Sequence, residues 1–509
     1  MTTPTSHTAS DVRTYGNWRK PVAPGIGRLG PIGTMLFLAG SVVVFLVLTV
    51  AGLAAAAVAS VLLVAVLMPL LVTDSSGRNG YTLVGARLAF RRNRRTKRNV
   101  YVPGLVGDPR EPIHSHPNRL PGLLATTQLI TCADSLGRRV GVVAVPHAQH
   151  YSVLLSCNPE AGSLVDDDTV DLWVARWGEF LADLSHEPNL VGASVTVEAT
   201  PDSGEKLAAE VARLTTPTAP ELARAVLAEA ASTWPVGSAS VATWVTLTWS
   251  RTPSMATKPI PEQRLLAQIA DRLPGLCTRL QAAGCGDVTP MTPPQVTATV
   301  ASAYCPSTHA ALDELAAHDE VPMIPWQDCG PATMKVGWDH LRHDTAWSRV
   351  WRMTAAPNSP VPATTLAALL NAHNGLARKR VTMQYRPHSP SSAATIADRD
   401  VRTAKSRAES RKGEVRATES LAVAMARQTA DEQAAGAGLV RFSMLVTVTV
   451  PQASGLETAS HVIDQLAATS RVRLRPATGT QAGSFAACLG IGLVLNNQVR
   501  LPAFLRENL

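Results

Sequence analysis

The sequence predicts a mixed α+β protein with a transmembrane helical hairpin near its N-terminus and most of its mass in the cytosol. Two observations predict this organisation. The 509-residue chain carries no charged residue between Arg28 and Asp74, and this run consists mainly of apolar residues. From residue 123 onward, short β-prone runs alternate with segments of helical spacing. Such alternation is typical of a sheet with helices packed against it.

The uncharged run, residues 29–73, is long enough for two membrane-spanning helices. One crossing needs about 20 apolar residues, so we expect one helix over Pro31–Thr49 and a second over Leu53–Val72. Thr49–Gly52 would form the outer turn, because Gly52 tolerates backbone angles that other residues avoid. A secretory signal peptide fits poorly, since its apolar core is only about 7–15 residues long. The alternative is one long, tilted helix.

Basic residues flank the run on both sides, and such residues near helix ends stay on the cytoplasmic side. Two crossings allow both flanks to lie inside. The sequence therefore predicts a multi-pass protein of the cytoplasmic membrane with both termini cytosolic. The formal net charge of +8 is concentrated near the membrane, since residues 1–110 carry 13 Lys and Arg against 3 Asp and Glu.

The densest basic cluster follows the run and is the one surface site that the sequence predicts. We interpret it as an anchor on anionic lipid, where each Lys or Arg contributes about 1 kcal/mol. The alternative is phosphate binding on nucleic acid. No aromatic residue interrupts Arg91–Arg98 to stack on bases, so direct nucleic-acid contact is not expected. The cluster consists of Arg87, Arg91, Arg92, Arg94, Arg95, Lys97 and Arg98.

The rest of the chain divides into five parts. They are an N-terminal arm (1–28), a basic juxtamembrane segment and linker (74–122), a first α+β unit (123–283), a connector (284–332) and a second α+β unit (333–509). Both units show the order β-β-α-β-α-β-α, about 200 residues apart, so we expect related sheets with helices on one face.

Individual elements follow from hydrophobic periodicity. In the first unit we expect strands at 123–131, 139–145, 151–157, 190–197 and 241–249, and helices after the 166–168 cap and at 205–214, 221–231 and 261–283. In the second we expect strands at 333–338, 348–355, 380–385 and 440–450, helices at 363–371, 393–434 and 457–468, and a loop at 479–484. The long helix 393–434 mixes acidic and basic residues, which is typical of a solvated helix. A docking arm for a partner is the alternative.

No pattern in the sequence predicts a catalytic residue, a cofactor or a bound metal. The chain has no Gly-Lys dipeptide, so it lacks the GxxxxGK[ST] loop that grips triphosphates. HExxH and GxSxG are absent as well. The His147/His150 and His340/His343 pairs each lack a third ligand at a suitable spacing. Seven scattered cysteines, none in a CxxC pair, indicate reduced thiols in the cytosol.

The N-terminal residues form a recognisable motif. It reads Tyr15-Gly16-Asn17-Trp18-Arg19-Lys20-Pro21, then Pro24-Gly25-Ile26-Gly27 and Leu29-Gly30, followed by the predicted hairpin. This motif resembles an actinobacterial family of two-pass membrane proteins encoded beside conjugation or type IV secretion genes. The hairpin is similar to the small PrgI-like subunit of such machines. Gly438–Phe442, which enters a long strand within Glu432–Pro451, is similar to the N-terminal domain of the VirB-type conjugation ATPase without its motor.

The resemblance implies a non-catalytic scaffold subunit that recruits a separate ATPase to the inner face of the membrane. Its partners would be membrane lipids, the ATPase, other subunits of the complex and further copies of itself. One alternative is an EccE-like component of a type VII secretion system, which gene neighbourhood would distinguish. Another is a membrane-bound enzyme, which would need a pocket with convergent polar groups.

Overall fold

Helices and antiparallel strands make up the described chain, which confirms the predicted α+β class. The computed structural model describes residues 14–16, 18, 30–71, 80–103, 120–159, 165–216, 218–234, 238–252, 258–318, 320–357, 359–409 and 417–495. The chain divides into a smaller unit, residues 19–99 with 501–509, and a larger unit, residues 1–18 with 100–500. Most of the predicted arm and linker lies outside the described residues.

The smaller unit contains two helices, α1 (Gly30–Leu71) and α2 (Gly80–Arg95). α1 holds no charged residue, because the uncharged run of the sequence supplies all of it. Its large apolar side chains are mostly exposed; Leu53, for example, is 81% exposed. α2 combines apolar residues in its first half with arginines in its last turn.

The predicted localisation, a multi-pass protein with both termini cytosolic, is wrong. Among the described residues one helix, spanning 33–70, is long and apolar enough to cross a membrane, with a mean hydropathy of 2.7. Of the residues expected in the turn, Thr49–Gly52, the first three are helical. The Thr49 hydroxyl donates to the Leu46 carbonyl at 2.8 Å, so this polar group is satisfied within the helix. Gly52 alone in α1 departs from helical angles, with φ 80° and ψ −177°.

The larger unit contains fifteen strands and eleven α-helices among its described residues. Up to residue 290 they are β1 (Thr14–Tyr15), β2 (Val100–Tyr101), β3 (Gln128–Ala133), β4 (Arg139–Val145), β5 (His150–Asn158), α3 (Asp167–Asp183), β6 (Leu190–Pro201), α4 (Glu205–Leu214), α5 (Glu221–Thr233), β7 (Ala239–Ser250), α6 (Glu262–Leu280) and β8 (Asp287–Pro290). From residue 293 they are α7 (Pro293–Tyr304), α8 (His309–Ala317), β9 (Met334–Val336), β10 (Leu341–His343), β11 (Ala346–Ala355), β12 (Val361–Pro362), α9 (Ala367–Leu370), β13 (Arg378–Pro387), α10 (Pro390–Glu409), α11 (Ala417–Ala434), β14 (Val440–Val450), α12 (Gly455–Thr469), β15 (Arg473–Pro476) and α13 (Gln481–Cys488).

One 13-stranded sheet runs through the larger unit in the order β2-β9-β10-β11-β14-β13-β6-β7-β5-β4-β3, with β15 beside β11 and β8 beside β5. The first half of this sheet consists of β3 to β8, and the second consists of β9, β10, β11, β13, β14 and β15 with the short β2. β1 and β12 form a separate two-stranded sheet. The halves meet at β6 and β13, which are antiparallel, with Thr196 opposite Thr382. Counted outward from this junction, the order is β6-β7-β5-β4-β3 on one side and β13-β14-β11-β10-β9 on the other.

Alternation along the strands gives the sheet two buried faces. Face 1 carries Val245 and Val446, and face 2 carries Thr246 and Thr447. Two separate apolar cores lie on face 1: α3 and α6 cover the first half of the sheet, and α9 and α12 cover the second. A third core lies on face 2 beneath α7, α13 and the residues that follow α13. β-branched residues suit these strands because they pack well on a pleated surface.

Three segments fold differently from the prediction. The expected connector, 284–332, contains β8, α7 and α8, because Pro293 occupies the first turn of α7 and Thr292 with Gln295 forms a capping box. The expected single helix 393–434 is two helices, α10 and α11, that pack against each other. Gly413 lies in the sequence between them, outside the described residues, and glycine weakens a helix by roughly 1 kcal/mol relative to alanine.

The loop expected at 479–484 is also partly helical, since α13 begins at Gln481. The Gln481 side chain accepts from the Val350 backbone N–H at 2.9 Å and donates to the Val350 carbonyl at 3.2 Å. This long-range anchor on β11 could not be read from the local glycines. It fixes the first residue of α13 against face 2.

Candidate functional site

The predicted membrane-surface residues lie on α2 or in the turn that follows it, and all seven are exposed. At 3.6 residues per turn, Arg91, Arg92 and Arg95 share one side of α2 with Val84 and Leu88. These two apolar side chains are also exposed, at 53% and 59%. Residues 80–103 contain no Asp or Glu. α2 therefore presents an apolar stripe that continues into a purely cationic one.

The basic cluster ends in a turn that closes α2. Lys97 has a left-handed backbone with φ 54°. The Lys97 N–H donates to the Arg94 carbonyl at 3.3 Å, and the Arg98 N–H donates to the Asn93 carbonyl at 2.9 Å. This is the pattern of a Schellman C-cap. The arginines of the last turn also lie at the negative end of the helix dipole, which favours cations.

The start of α2 packs against the end of α1. The Tyr81 hydroxyl donates to the Val66 carbonyl at 2.8 Å. A side chain at Gly80 would come within 2.8 Å of the Pro69 carbonyl oxygen, so glycine permits this close approach. The basic cluster therefore begins about two turns after the contact with the apolar helix that precedes it.

A second exposed surface lies on α5, which has no buried residue. Leu222 is 77% exposed, Val226 is 55% exposed, and Trp234, directly after the helix, is 71% exposed. The sequence predicted this helix but not its exposure, because the i, i+4 spacing of Leu222 and Val226 reads equally well as a core-facing stripe. Large apolar side chains that cluster on a surface mark an interaction site.

A buried ion cluster lies on face 2 at the junction of the two halves. Glu198 Oε1 is 2.7 Å from Arg378 Nε and 2.6 Å from Arg380 Nη2. Burial alone would raise the pKa of Glu198, but the two guanidinium groups outweigh it and lower the pKa to about 2. Arg378 also donates to the hydroxyl of Ser302 at 3.0 Å, which ties β13 to α7. Local patterns could not reveal this cluster, because Glu198 lies 180 residues before Arg378 in the chain.

A side-chain hydrogen-bond network bears on the enzyme alternative, and it links Ser302, His309 and Asp313. Ser302 Oγ is 3.4 Å from His309 Nδ1, and His309 Nε2 is 3.4 Å from Asp313 Oδ2. Ser302 is only 7% exposed and its hydroxyl accepts the Arg378 hydrogen bond, and His309 Nε2 also lies 3.0 Å from Thr200 Oγ1. Burial lowers the pKa of His309. This network joins α7 and α8 to β6, and the Ser302 hydroxyl faces the interior rather than a cleft.

The two histidine pairs of the sequence are engaged separately. His343 is buried, with Nδ1 against the Tyr304 carbonyl and Nε2 2.7 Å from Ser348 Oγ, and burial lowers its pKa to about 4. His340 Nδ1 lies 2.9 Å from Asp339. His147 lies 3.0 Å from the Thr126 hydroxyl. Within the described ranges, no three His, Cys, Asp or Glu side chains are grouped so that they could hold a metal ion.

A family model described as "Domain of unknown function (DUF8461)" matches residues 22–82, which include α1 and the first residues of α2. No curated protein matches the chain. The match covers the apolar segment and its flanks and does not extend into the sheet of the larger unit.

Proposed function

We propose that the protein is a membrane-anchored scaffold subunit of a conjugative or type IV-like secretion machine, which recruits a separate ATPase to the inner face of the membrane. The main support for this proposal is the combination of three parts in one chain. They are an uncharged helix, a basic helix beside it, and a large sheet unit with a helix that exposes apolar side chains. The first two parts suit an anchor, and the third suits a docking surface. The secretion assignment rests on the resemblance of the N-terminal motif and of Gly438–Phe442.

The ATPase would dock on α5. Leu222 and Val226 lie on one side of α5, and Trp234 directly after the helix is exposed as well. Trp is among the commonest hot-spot residues of protein interfaces. The test is whether the ATPase encoded beside this gene reaches the membrane in the presence and in the absence of the chain. We expect the ATPase to be cytosolic when the chain is deleted. Equal membrane recovery in both strains would exclude recruitment by this protein.

The identity of the recovered ATPase also separates the two secretion systems. A VirB-type ATPase supports the type IV-like assignment, whereas an FtsK-like ATPase supports the EccE-like alternative. A hydrolysis assay on the isolated chain tests the non-catalytic part of the proposal. We expect no ATP turnover above that of a buffer blank, because the sequence has no Gly-Lys with which to hold a triphosphate.

We further infer that α1 folds back on itself at Gly52 as a hairpin. The support is that Gly40 lies against the Leu63 side chain, although residues 23 positions apart in a straight helix are about 35 Å apart. Cysteines introduced at Gly40 and Leu63 should form an intramolecular cross-link, detected by mass spectrometry. A pair at Gly40 and Leu53 is the control and should not. Equal cross-linking of the two pairs, or none, would contradict the hairpin.

We also infer that the two halves of the sheet are related units. Their strand orders match outward from the junction, and each half ends with an extra strand, β8 or β15, on its third strand. Hydroxyl pairs on face 2 lie at matching register positions in both halves. These pairs are Thr196–Thr382 at the junction, Ser152–Thr248 in the first half and Ser348–Thr449 in the second.

The basic cluster of α2 would bind anionic lipid headgroups while Val84 and Leu88 enter the interface. The test uses a fragment that begins at Gly80 and vesicles that contain an anionic lipid. Neutralising four arginines should weaken binding by about 1 kcal/mol for each charge removed. A control variant neutralises four exposed arginines of the larger unit and should bind as the parent fragment does. The first variant changes Arg91, Arg92, Arg94 and Arg95 to Gln, and the control changes Arg176, Arg213, Arg224 and Arg279 to Gln.

Salt-sensitive binding of duplex DNA by the same fragment, lost in the first variant, would instead support the nucleic-acid interpretation. Equal vesicle binding by both variants would show that the cluster does not act as a lipid anchor.

A further inference from the structure

A cavity of about 280 Å³ lies on face 1 over the central strands of the sheet. β6, β7 and β13 form its floor through Val195, Val245, Val381 and Met383. α3 and α9 form opposite walls, and the helical turn at 281–285 forms part of the rim. No charged side chain lines the cavity among the described residues.

The cavity exists because each half of the sheet has its own helix layer. α3 and α6 cover the first half of face 1, while α9 and α12 cover the second, and the two apolar cores beneath them are separate. The strands at the junction lie between these layers. Val195 and Met383 are therefore half-buried, although they belong to central strands where apolar side chains are ordinarily covered on both sides.

We propose that this cavity binds a fatty acyl chain. An apolar cavity of about 150 Å³ stays dry and takes up a small hydrocarbon, and this cavity is larger and equally free of charge. A charged ligand would lose its hydration without gaining a counter-charge. The choice of an acyl chain over other hydrocarbons rests on the proposed membrane anchoring, since lipid acyl chains are the apolar molecules that a membrane-bound protein meets.

The rim of the cavity defines how the acyl chain would enter. Pro159 is exposed, and Gly284 and Cys285 are half-buried at the same edge of the cavity. Tyr385 also lines the cavity, with its ring 5.9 Å from that of Trp177 in an edge-on contact. Burial raises the pKa of Tyr385 to about 12, so this hydroxyl stays neutral. The methyl end of the chain would thus lie over the valines, and the carboxyl end would point past Cys285 to solvent.

The test uses the full chain in lipid nanodiscs and a fatty acid that carries a photoreactive diazirine near its methyl end. We expect saturable labelling of peptides from β6, β7 or β13, reduced by unlabelled fatty acid. Val195→Phe fills the cavity from a half-buried position and should reduce labelling at least about tenfold, the equivalent of 1.4 kcal/mol. Val241→Phe is the matched control, because Val241 is exposed on β7 outside the cavity, and should label as the wild type does.

A second measurement does not depend on the variant. Cys285 lines the cavity, and a hydrogen bond from Cys157 lowers the pKa of its thiol. Bound fatty acid should slow the alkylation of Cys285 by a maleimide about tenfold or more. As a control, the rate at which the same maleimide reacts with a free thiol peptide is measured with and without fatty acid. Three outcomes would overturn the inference. The label could map to peptides outside β6, β7 and β13, or Val195→Phe could leave labelling of the folded protein unchanged. A small aromatic compound could also displace the label where unlabelled fatty acid does not.

The outcome is separable from the proposed function. A protein that fractionates with membranes and recruits the ATPase but shows no labelling would refute the cavity inference alone. A protein that labels as expected but is recovered away from membranes would refute the anchoring alone.

Discussion

The helical pairs α4–α5 and α10–α11 occupy equivalent places in the two halves of the sheet, but the residues that they expose differ in polarity. The first lies between β6 and β7, and the second between β13 and β14. α5 exposes Leu222, Val226 and Trp234, whereas Leu421 is the one large apolar residue that α11 exposes strongly, amid charged and small residues. The strands therefore determine where each helical pair projects, while the residues on the helix surface determine what the pair can contact.

The largest expected effect concerns the junction, where the halves are least alike. Glu198 on β6 pairs with Arg378 and Arg380 on β13, whereas Gln384 on β13 faces Ser194 on β6. Glu198→Gln would leave two buried guanidinium groups without a counter-charge. We expect the free energy of unfolding to fall by about 3–5 kcal/mol, measured by urea unfolding of the detergent-solubilised protein. Gln384→Ala is the control and should cost under about 1 kcal/mol; equal losses would contradict the asymmetry.

The same carboxylate predicts a pH dependence. The two arginines lower the pKa of Glu198 to about 2 in the folded protein, from an ordinary value of 4.5. The unfolded chain therefore binds the proton more tightly, so this contribution to stability is complete above pH 4.5 and is lost as the pH falls from 4.5 towards 2. Unfolding midpoints measured across this range should drop more steeply for the wild type than for Glu198→Gln. Parallel curves would show that Glu198 is not the titrating group.

A smaller effect tests whether the halves are related. Ser152 Oγ meets Thr248 Oγ1 at 3.0 Å, and Ser348 Oγ meets Thr449 Oγ1 at 2.7 Å. Ser348 also meets His343 Nε2 at 2.7 Å. Ser348→Ala should therefore cost about 1–3 kcal/mol, because it leaves two buried groups with one partner fewer, and Ser152→Ala should cost about 1 kcal/mol. A neutral effect at either site, or the reverse order, would weaken the equivalence.

The smallest expected effect concerns the exposed leucines of the two helical pairs. Leu222→Lys and Leu421→Lys should each change the free energy of unfolding by less than about 0.5 kcal/mol, because both side chains lie in solvent. Thermal unfolding checks this directly. A large loss at Leu222 would mean that α5 is part of the core, and its exposure could not then serve as a docking surface.

Local patterns were sufficient for much of the fold. The alternation in Val440–Val450 and the cap before α3 identify β14 and α3, and helix α4 has the predicted bounds, 205–214. Long-range partners decided the rest. β8 and β15 are four-residue strands, too short to show a period, and each pairs with a strand more than 100 residues earlier in the chain. Prolines that begin α7 look like linker residues until the capping box is seen.

The sites divide in the same way. The basic cluster was visible because seven cations lie within twelve residues, and the structure places them on one helix and its C-cap. The exposed apolar side of α5 was not visible, because spacing shows which residues share a face but not whether that face is covered. The ion cluster of Glu198 and the face 1 cavity arise only when strands 180 residues apart become neighbours.

Recovery of the neighbouring ATPase with surface variants of the two helical pairs tests the central claim most directly. Wild-type protein and the variants Leu222→Lys, Trp234→Ala and Leu421→Lys are purified from membranes, and the copurifying ATPase is quantified. We expect Leu222→Lys and Trp234→Ala each to reduce ATPase recovery by about 30-fold, as loss of a hot spot of about 2 kcal/mol would, while Leu421→Lys retains the wild-type amount. Equal recovery with all four proteins, or a loss confined to Leu421→Lys, would rule out docking on α5.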